Sequence, residues 1–153
     1  MIVLGIDPGI RTGYALIDVR SPKEYIKISG GVVKGYPGVD ILLSIAPKPE
    51  VYVIENFTLW PKLAVKVSHD DPELLTVRYI GALTSHIQRM DVKLVFHQPA
   101  YKQGCPDYML KRYGLWETSQ TPHERDAMRH IIVYVRRENA ALTRMRQKGR
   151  IKP

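Results

Sequence analysis

Cysteine is nearly absent from this chain: one stands in 153 residues. Cys105 alone can form neither an intramolecular disulfide nor a thiolate zinc cage, so a packed core has to hold the fold and a reducing compartment is expected. Long hydrophobic runs are absent too. The apolar opening Met1-Ile2-Val3-Leu4-Gly5-Ile6 has no charged leading segment and ends at Asp7, short of a signal core, and nothing later approaches a membrane span. No membrane association and a cytoplasmic location are therefore expected. Acidic residues are in deficit, 15 against 23 lysines and arginines, and the net charge of +8 favours a polyanionic partner. No Ser/Gly linker and no internal repeat divides the chain. With 44% hydrophobic and 25% charged residues it reads as one globular domain over 1–147, followed by a basic tail, 148–153.

The positive charge is unevenly placed. Arg125 to Pro153 holds nine basic and two acidic residues, +7 of the +8, on one helix and its tail. That segment either faces an anion or is a solvated helix end. Periodicity predicts strands at 2–7, 12–18 and 25–33, the first two joined by a turn short enough for an antiparallel hairpin. Gly30-Gly31 suggests a bulge or a close approach in the third. A short helix over 38–46 should stop before Pro47. A buried strand at 51–54, a helix at 71–90, a strand at 92–96 and a long helix at 122–147 follow, which together make a mixed α/β sheet.

Two acids close apolar strands: Asp7 after the first, Glu55 after Val51-Tyr52-Val53-Ile54. Ligands collect at strand ends of open α/β sheets, although Asp7 before Pro8-Gly9 could equally cap a turn. A third cluster is Thr121-Pro122-His123-Glu124-Arg125-Asp126. Thr121 as N-cap, Pro122 and Glu124 form a capping box, which accounts for Glu124. His123 and Asp126, spaced i, i+3, share one face near the positive helix end, and His130 extends that face. Were Asp7, Glu55 and Asp126 to meet, each pair at about 4 Å would repel by roughly 4 kcal/mol at an effective dielectric of 20. Protonation or divalent cations would relieve it, and hard oxygen ligands favour Mg²⁺ or Mn²⁺. A zinc protease is a poor fit, since Ala127 stands where His-Glu-x-x-His needs its second histidine. Ser68-His69-Asp70-Asp71 is no triad, and Asp71 before Pro72 reads as a helix cap.

The succession Gly5-Ile6-Asp7-Pro8-Gly9, Thr12-Gly13-Tyr14-Ala15, Val53-Ile54-Glu55-Asn56-Phe57 and His123-x-x-Asp126-Ala127 resembles RuvC-type Holliday-junction resolvases of the RNase H-like superfamily. Lys111-Arg112-Tyr113-Gly114-Leu115 looks like versions carried by bacteriophages, which would put the protein in a bacterial or phage-infected cell. The resemblance implies an RNase H-like five-stranded mixed sheet flanked by helices, and a homodimer that cuts four-way DNA at two symmetric phosphates. It further implies two Mg²⁺ ions, replaceable by Mn²⁺, on Asp7, Glu55 and Asp126, with His123 in a fourth position where many members have aspartate. Two cations so held activate water and stabilise the leaving oxygen, giving 5′-phosphate and 3′-hydroxyl ends.

Phe57 and Trp60, interleaved with Lys62 and Lys66 just past Glu55, either stack on bases opened at a branch or pack in the core. Lys102, Lys111 and Arg112 resemble residues the family directs at phosphates, or are solvated cations. The helix at 71–90 carries a wide apolar stripe, Leu74, Val77, Ile80, Leu83, Ile87 and Met90, suited to a two-fold dimer contact or to core burial. Three other readings remain: a broader debranching nuclease, a non-catalytic junction binder, and an actin- or hexokinase-like ATPase, whose fold needs two lobes where this length supplies one.

Overall fold

The computed structural model describes residues 1–35, 37–57 and 71–147. Strands β1 (Ile2–Asp7), β2 (Arg11–Ser21) and β3 (Glu24–Lys34) form an antiparallel meander. The turn from β1 to β2 allows no crossover, so the strands pair directly and Asp7 lies opposite Gly13. Thr12 ties this turn together, its hydroxyl donating to the Gly9 carbonyl at 2.8 Å and accepting from the Gly9 amide at 3.2 Å. Beyond β1 lie β4 (Val51–Glu55) and β5 (Lys93–His97), both parallel, in the order β3-β2-β1-β4-β5. Parallel neighbours require crossovers, and helices α1 (Pro37–Leu43) and α2 (Pro72–Ile87) lie in the two connections. After β5 come a 3₁₀ turn (Pro99–Gly104), α3 (Asp107–Arg112) and the long α4 (Pro122–Gln147). The result is the expected mixed five-stranded sheet with helices on both faces.

Element ends depart from the periodicity where local bonding intervenes. Helix α1 stops at Leu43 instead of 46, because Ala46 precedes Pro47 and such a residue is driven out of the helical region. Asp71 caps α2 as expected, accepting from the Glu73 amide at 2.8 Å. That helix ends at Ile87, three residues early, where the amides of Arg89 and Met90 bond back to His86 and Ile87 and tighten the chain toward β5. The 3₁₀ turn and α3 were not anticipated, being one or two turns long and opened by prolines.

Strand alternation sorts the core into two layers. Val3, Ala15, Ile17 and Val53 pack beneath Ala127, Met128, Ile131 and Ile132 of α4. Leu4, Ile6, Leu16, Tyr52 and Ile54 face the other way, onto Leu42 of α1 and Tyr79, Leu83 and Ile87 of α2. The stripe predicted for α2 is only partly buried there: Ile80, Leu83 and Ile87 are covered, whereas Leu74 and Val77 are half-buried. Cys105 is fully buried, which pushes its thiol up to about 11 and leaves it unreactive.

Two glycines set the distance between α4 and the sheet. A Cβ at Gly5 would overlap the Ala127 carbonyl, and one at Gly13 would overlap the backbone of His123. Only hydrogen at these positions lets the helix rest on the strands. Gly81, exposed on α2 with nothing near it, has no such role. Gly5→Val should therefore lower the unfolding free energy by at least about 2 kcal/mol, while Gly81→Ala should raise it by about 0.5–1 kcal/mol, both read from urea denaturation.

Candidate metal centre

The register that builds the sheet also aligns its strand ends. Ile6 pairs with Ile54, and Glu55 with His97, so Asp7, Glu55 and His97 finish three adjacent parallel strands. Alternation turns all three toward α4, on the face of Val3, Val53 and Val95. The first turns of α4 cross these ends on the glycine seat, bringing His123, Asp126 and His130 to the same place.

How α4 starts determines where those side chains lie. Thr121 caps it, its hydroxyl accepting from the Glu124 amide at 3.1 Å. Glu124 does not close the expected capping box, because its side chain passes over the Thr121 amide for other partners. Fully buried, its carboxylate accepts from the Gln120 amide at 2.8 Å and pairs with Lys27 of β3 at 2.5 Å, fastening the helix start to the far strand. Gly30 leaves the room for it, since a Cβ there would strike the Glu124 carboxylate.

The three carboxylates are gathered round one ammonium. Lys102 Nζ, from the 3₁₀ turn, lies 2.9 Å from Asp126 Oδ2, 3.2 Å from Glu55 Oε2 and 4.0 Å from Asp7 Oδ1. Each acid has a further partner. His123 Nδ1 is 3.0 Å from Asp7 Oδ2, His130 Nε2 is 2.7 Å from Glu55 Oε2, and Arg129 bridges Asp126 to Asp107 of α3. His97 Nδ1 approaches His130 Nδ1 at 3.3 Å.

These surroundings pull the two strand-end acids in opposite directions. Burial raises the Asp7 carboxyl above its ordinary value, with Glu55 and Asp126 adding to the rise and the His123 and Lys102 contacts opposing it. Burial acts on Glu55 too, but there the His130 bond and the Lys102 charge win and hold it below the usual value. Lys102 loses by burial and gains more from its bond to Asp126 and from the carboxylates, so its ammonium is reinforced. Burial above all pushes His97 down to about 4, leaving that ring neutral near pH 7.

Asp7, Glu55 and His130 offer donor atoms that all lie within 4.8 Å of one another, and Asp126 reaches the same ammonium. Anionic oxygens with an adjoining imidazole suit a divalent cation, so the residues present fit one. His123, the expected fourth group, is the most exposed of the set and contacts Asp7 alone among the acids.

Of the other predicted residues, Phe57 lines a shallow groove of about 340 Å³ beside His123, with Gly9, Ile10, Arg11, Glu73 and Thr76. Lys111 and Arg112 are exposed on α3, Lys111 with its ammonium 5.2 Å from the Trp116 ring. Trp60, Lys62 and Lys66 lie outside the described residues. Lys102, expected to point at phosphates, is instead turned into the carboxylates. Sequence reasoning missed His97 and gave His130 no role. The signal for His97 was available: it closes an apolar strand, as Asp7 and Glu55 do.

Sequence comparison gives no matching family model and no matching curated protein. Structural comparison defines the class: the fold is the RNase H-like fold of RuvC and related resolvases. In particular, the chain is similar to Thermus thermophilus RuvC in complex with Holliday junction substrate, with a TM-score of 0.65 at 19% identity over 87% of this chain and 91% of that one. It is also similar to the yeast mitochondrial Holliday junction resolvase Ydc2, with a TM-score of 0.50 at 16% identity over 95% of this chain and 83% of the other. Among the described residues no helix is long and apolar enough to cross a membrane.

Removing the central ammonium leaves three acids facing one another. Lys102→Met should destabilise the protein without added metal by about 1–2 kcal/mol in urea titrations at pH 7, and millimolar Mn²⁺ should recover most of that loss.

Proposed function

We propose that this chain is a divalent-metal-dependent endonuclease that resolves four-way DNA junctions by paired symmetric cleavage as a homodimer. The observation that carries this reading is the gathering of Asp7, Glu55 and Asp126, from two strands and a helix, about a single ammonium at the strand ends. The fold shared with resolvases, one of them bound to a Holliday junction, supports the same reading.

In this reading Asp7, Glu55 and Asp126 hold two Mg²⁺ ions, which Mn²⁺ can replace, with His123 beside Asp7. Ions bound there would turn water into a nucleophile at neutral pH and offset charge on the leaving 3′ oxygen. The chain itself needs no nucleophilic side chain, and the ends expected are 5′-phosphate and 3′-hydroxyl. Lys102 sits on a flexible four-carbon stem, so its ammonium can turn from the carboxylates to the phosphate being cut. Lys111 and Arg112 would grip flanking phosphates and make binding strongly salt-dependent without reading sequence. Phe57, at the rim of the groove by His123, would stack on a base unpaired at the crossover, and Trp60, Lys62 and Lys66 would be further DNA contacts.

A dimer through helix 71–90 would present two such sites to the two strands to be cut, its half-buried Leu74 and Val77 supplying contact area. Residues 1–147 would form the nuclease domain and the tail 148–153 an added phosphate contact. Action on DNA in the cytoplasm of a bacterium or an infected cell accords with the charge and with the lone, buried thiol.

Asp126→Asn tests the assignment. Wild type should cut a synthetic four-way junction at paired positions only when Mg²⁺ or Mn²⁺ is added. The variant should lose at least about 100-fold in rate while still retarding the junction in a gel. Equal cutting of forks, flaps and junctions would identify a debranching nuclease, and unchanged cutting by Asp126→Asn would refute the catalytic assignment.

A further inference from the structure

Two histidines lie in the core behind the acids, and the chemistry proposed above uses neither. His130 is fully buried and His97 is 3% exposed. Burying neutral imidazoles is unfavourable unless their nitrogens are paired, and an apolar side chain would fill either position at less cost. Their contacts form a chain from the core to the site: His97 Nδ1 to His130 Nδ1 at 3.3 Å, then His130 Nε2 to Glu55 Oε2 at 2.7 Å. The His97 ring also meets the Tyr101 ring in a T-shaped contact, centroid to centroid 5.0 Å.

Proton bookkeeping along this chain has one solution for a neutral pair. The Glu55 carboxylate can only accept, so His130 carries its hydrogen on Nε2. Its Nδ1 is then a lone pair, and the nitrogen facing it, His97 Nδ1, has to be the donor. The two rings are thus opposite tautomers. The arrangement ties one oxygen of Glu55 to α4 and β5 and leaves the other oxygen for a ligand. Outer partners of this kind orient a metal-binding carboxylate, and their loss typically costs 10–100-fold in affinity.

We infer that His97 and His130 are positioning residues that hold Glu55 in a metal-binding orientation through a directed hydrogen-bond chain. The inference rests on the reading of Glu55 as a metal ligand. It goes further in assigning a role and a tautomer to each of two buried histidines, and in making His130 a partner of the ligand instead of a ligand itself.

The test uses the full chain. Long-range proton–nitrogen correlation on ¹⁵N-labelled protein should find His130 protonated at Nε2 and His97 at Nδ1, and both should stay so when Mg²⁺ is added. Calorimetric Mn²⁺ titration should then show affinity falling about 10–100-fold in His130→Leu. His130→Gln, whose amide still donates to Glu55, should recover most of it, and His97→Phe should show an intermediate loss. Should His130→Leu fail to fold, the tautomers, His130→Gln and His97→Phe still decide the matter. Several results would overturn the inference: a proton on Nε2 of His97, loss of the His130 Nε2 proton on adding Mg²⁺, or equal affinities for the Leu and Gln variants. Wild type that binds no Mn²⁺ at millimolar concentration would overturn the metal reading along with it. Failure of the chain alone is distinguishable, because wild type and His130→Leu would then bind Mn²⁺ equally well.

Discussion

The first turns of α4 rest on the sheet without intervening side chains, and the site depends on that contact. Gly5 and Gly13 lie on neighbouring strands, and a Cβ on either would overlap the backbone of α4 at Ala127 or His123. Two interactions hold the helix start in this position: the Thr121 cap and the buried Glu124–Lys27 pair reaching across to β3. Asp126 is three residues past His123, so the contact that seats the helix also delivers its carboxylate to the ends of β1 and β4. A helix riding even a methyl group higher would part Asp126 from Glu55 and Asp7.

Convergence of like charges opposes folding, and the molecule offsets it locally. Each acid has its own cationic or imidazole partner besides Lys102, which all three share. The compensation is uneven. Glu55, bonded by His130 and nearest Lys102 after Asp126, is held in its charged form, whereas burial keeps Asp7 above its ordinary value. Asp7 therefore gains the most from a further positive charge, and this is the physical sense in which the pocket calls for a cation.

The basic segment proves less uniform than its charge count implies. Arg125 lies over the Trp116 ring at 4.0 Å and bonds Ser119, while Arg129 is spent on Asp126 and Asp107. Arg136 donates to the Gly104 carbonyl and Arg137 covers the Tyr101 ring at 4.2 Å. These four arginines brace the 3₁₀ turn, α3 and the loop before α4, so part of what reads as a polyanion-seeking run stabilises the segment that carries Lys102. From Arg136 to Met145 α4 is exposed, and Arg144 belongs to that outer part.

Much of this was legible in local pattern. Alternation and turn chemistry located the five strands to within a few residues. The strand-end positions of Asp7 and Glu55 marked them as special, and i, i+3 spacing put His123 and Asp126 on one face. Those signals are local: they arise from the periods of strand and helix and from turn and capping bonds, which act over a few residues. What joined the pieces is not local. Parallel pairing of β5 with β4 put His97 beside Glu55, the glycine seat fixed the approach of α4, and the fold of the 3₁₀ turn sent Lys102 in among the carboxylates, where the family resemblance implied only a cation directed at phosphate. Such outcomes depend on backbone packing and on charges brought together from residues up to 119 positions apart, as with Asp7 and Asp126, which no period along the chain encodes.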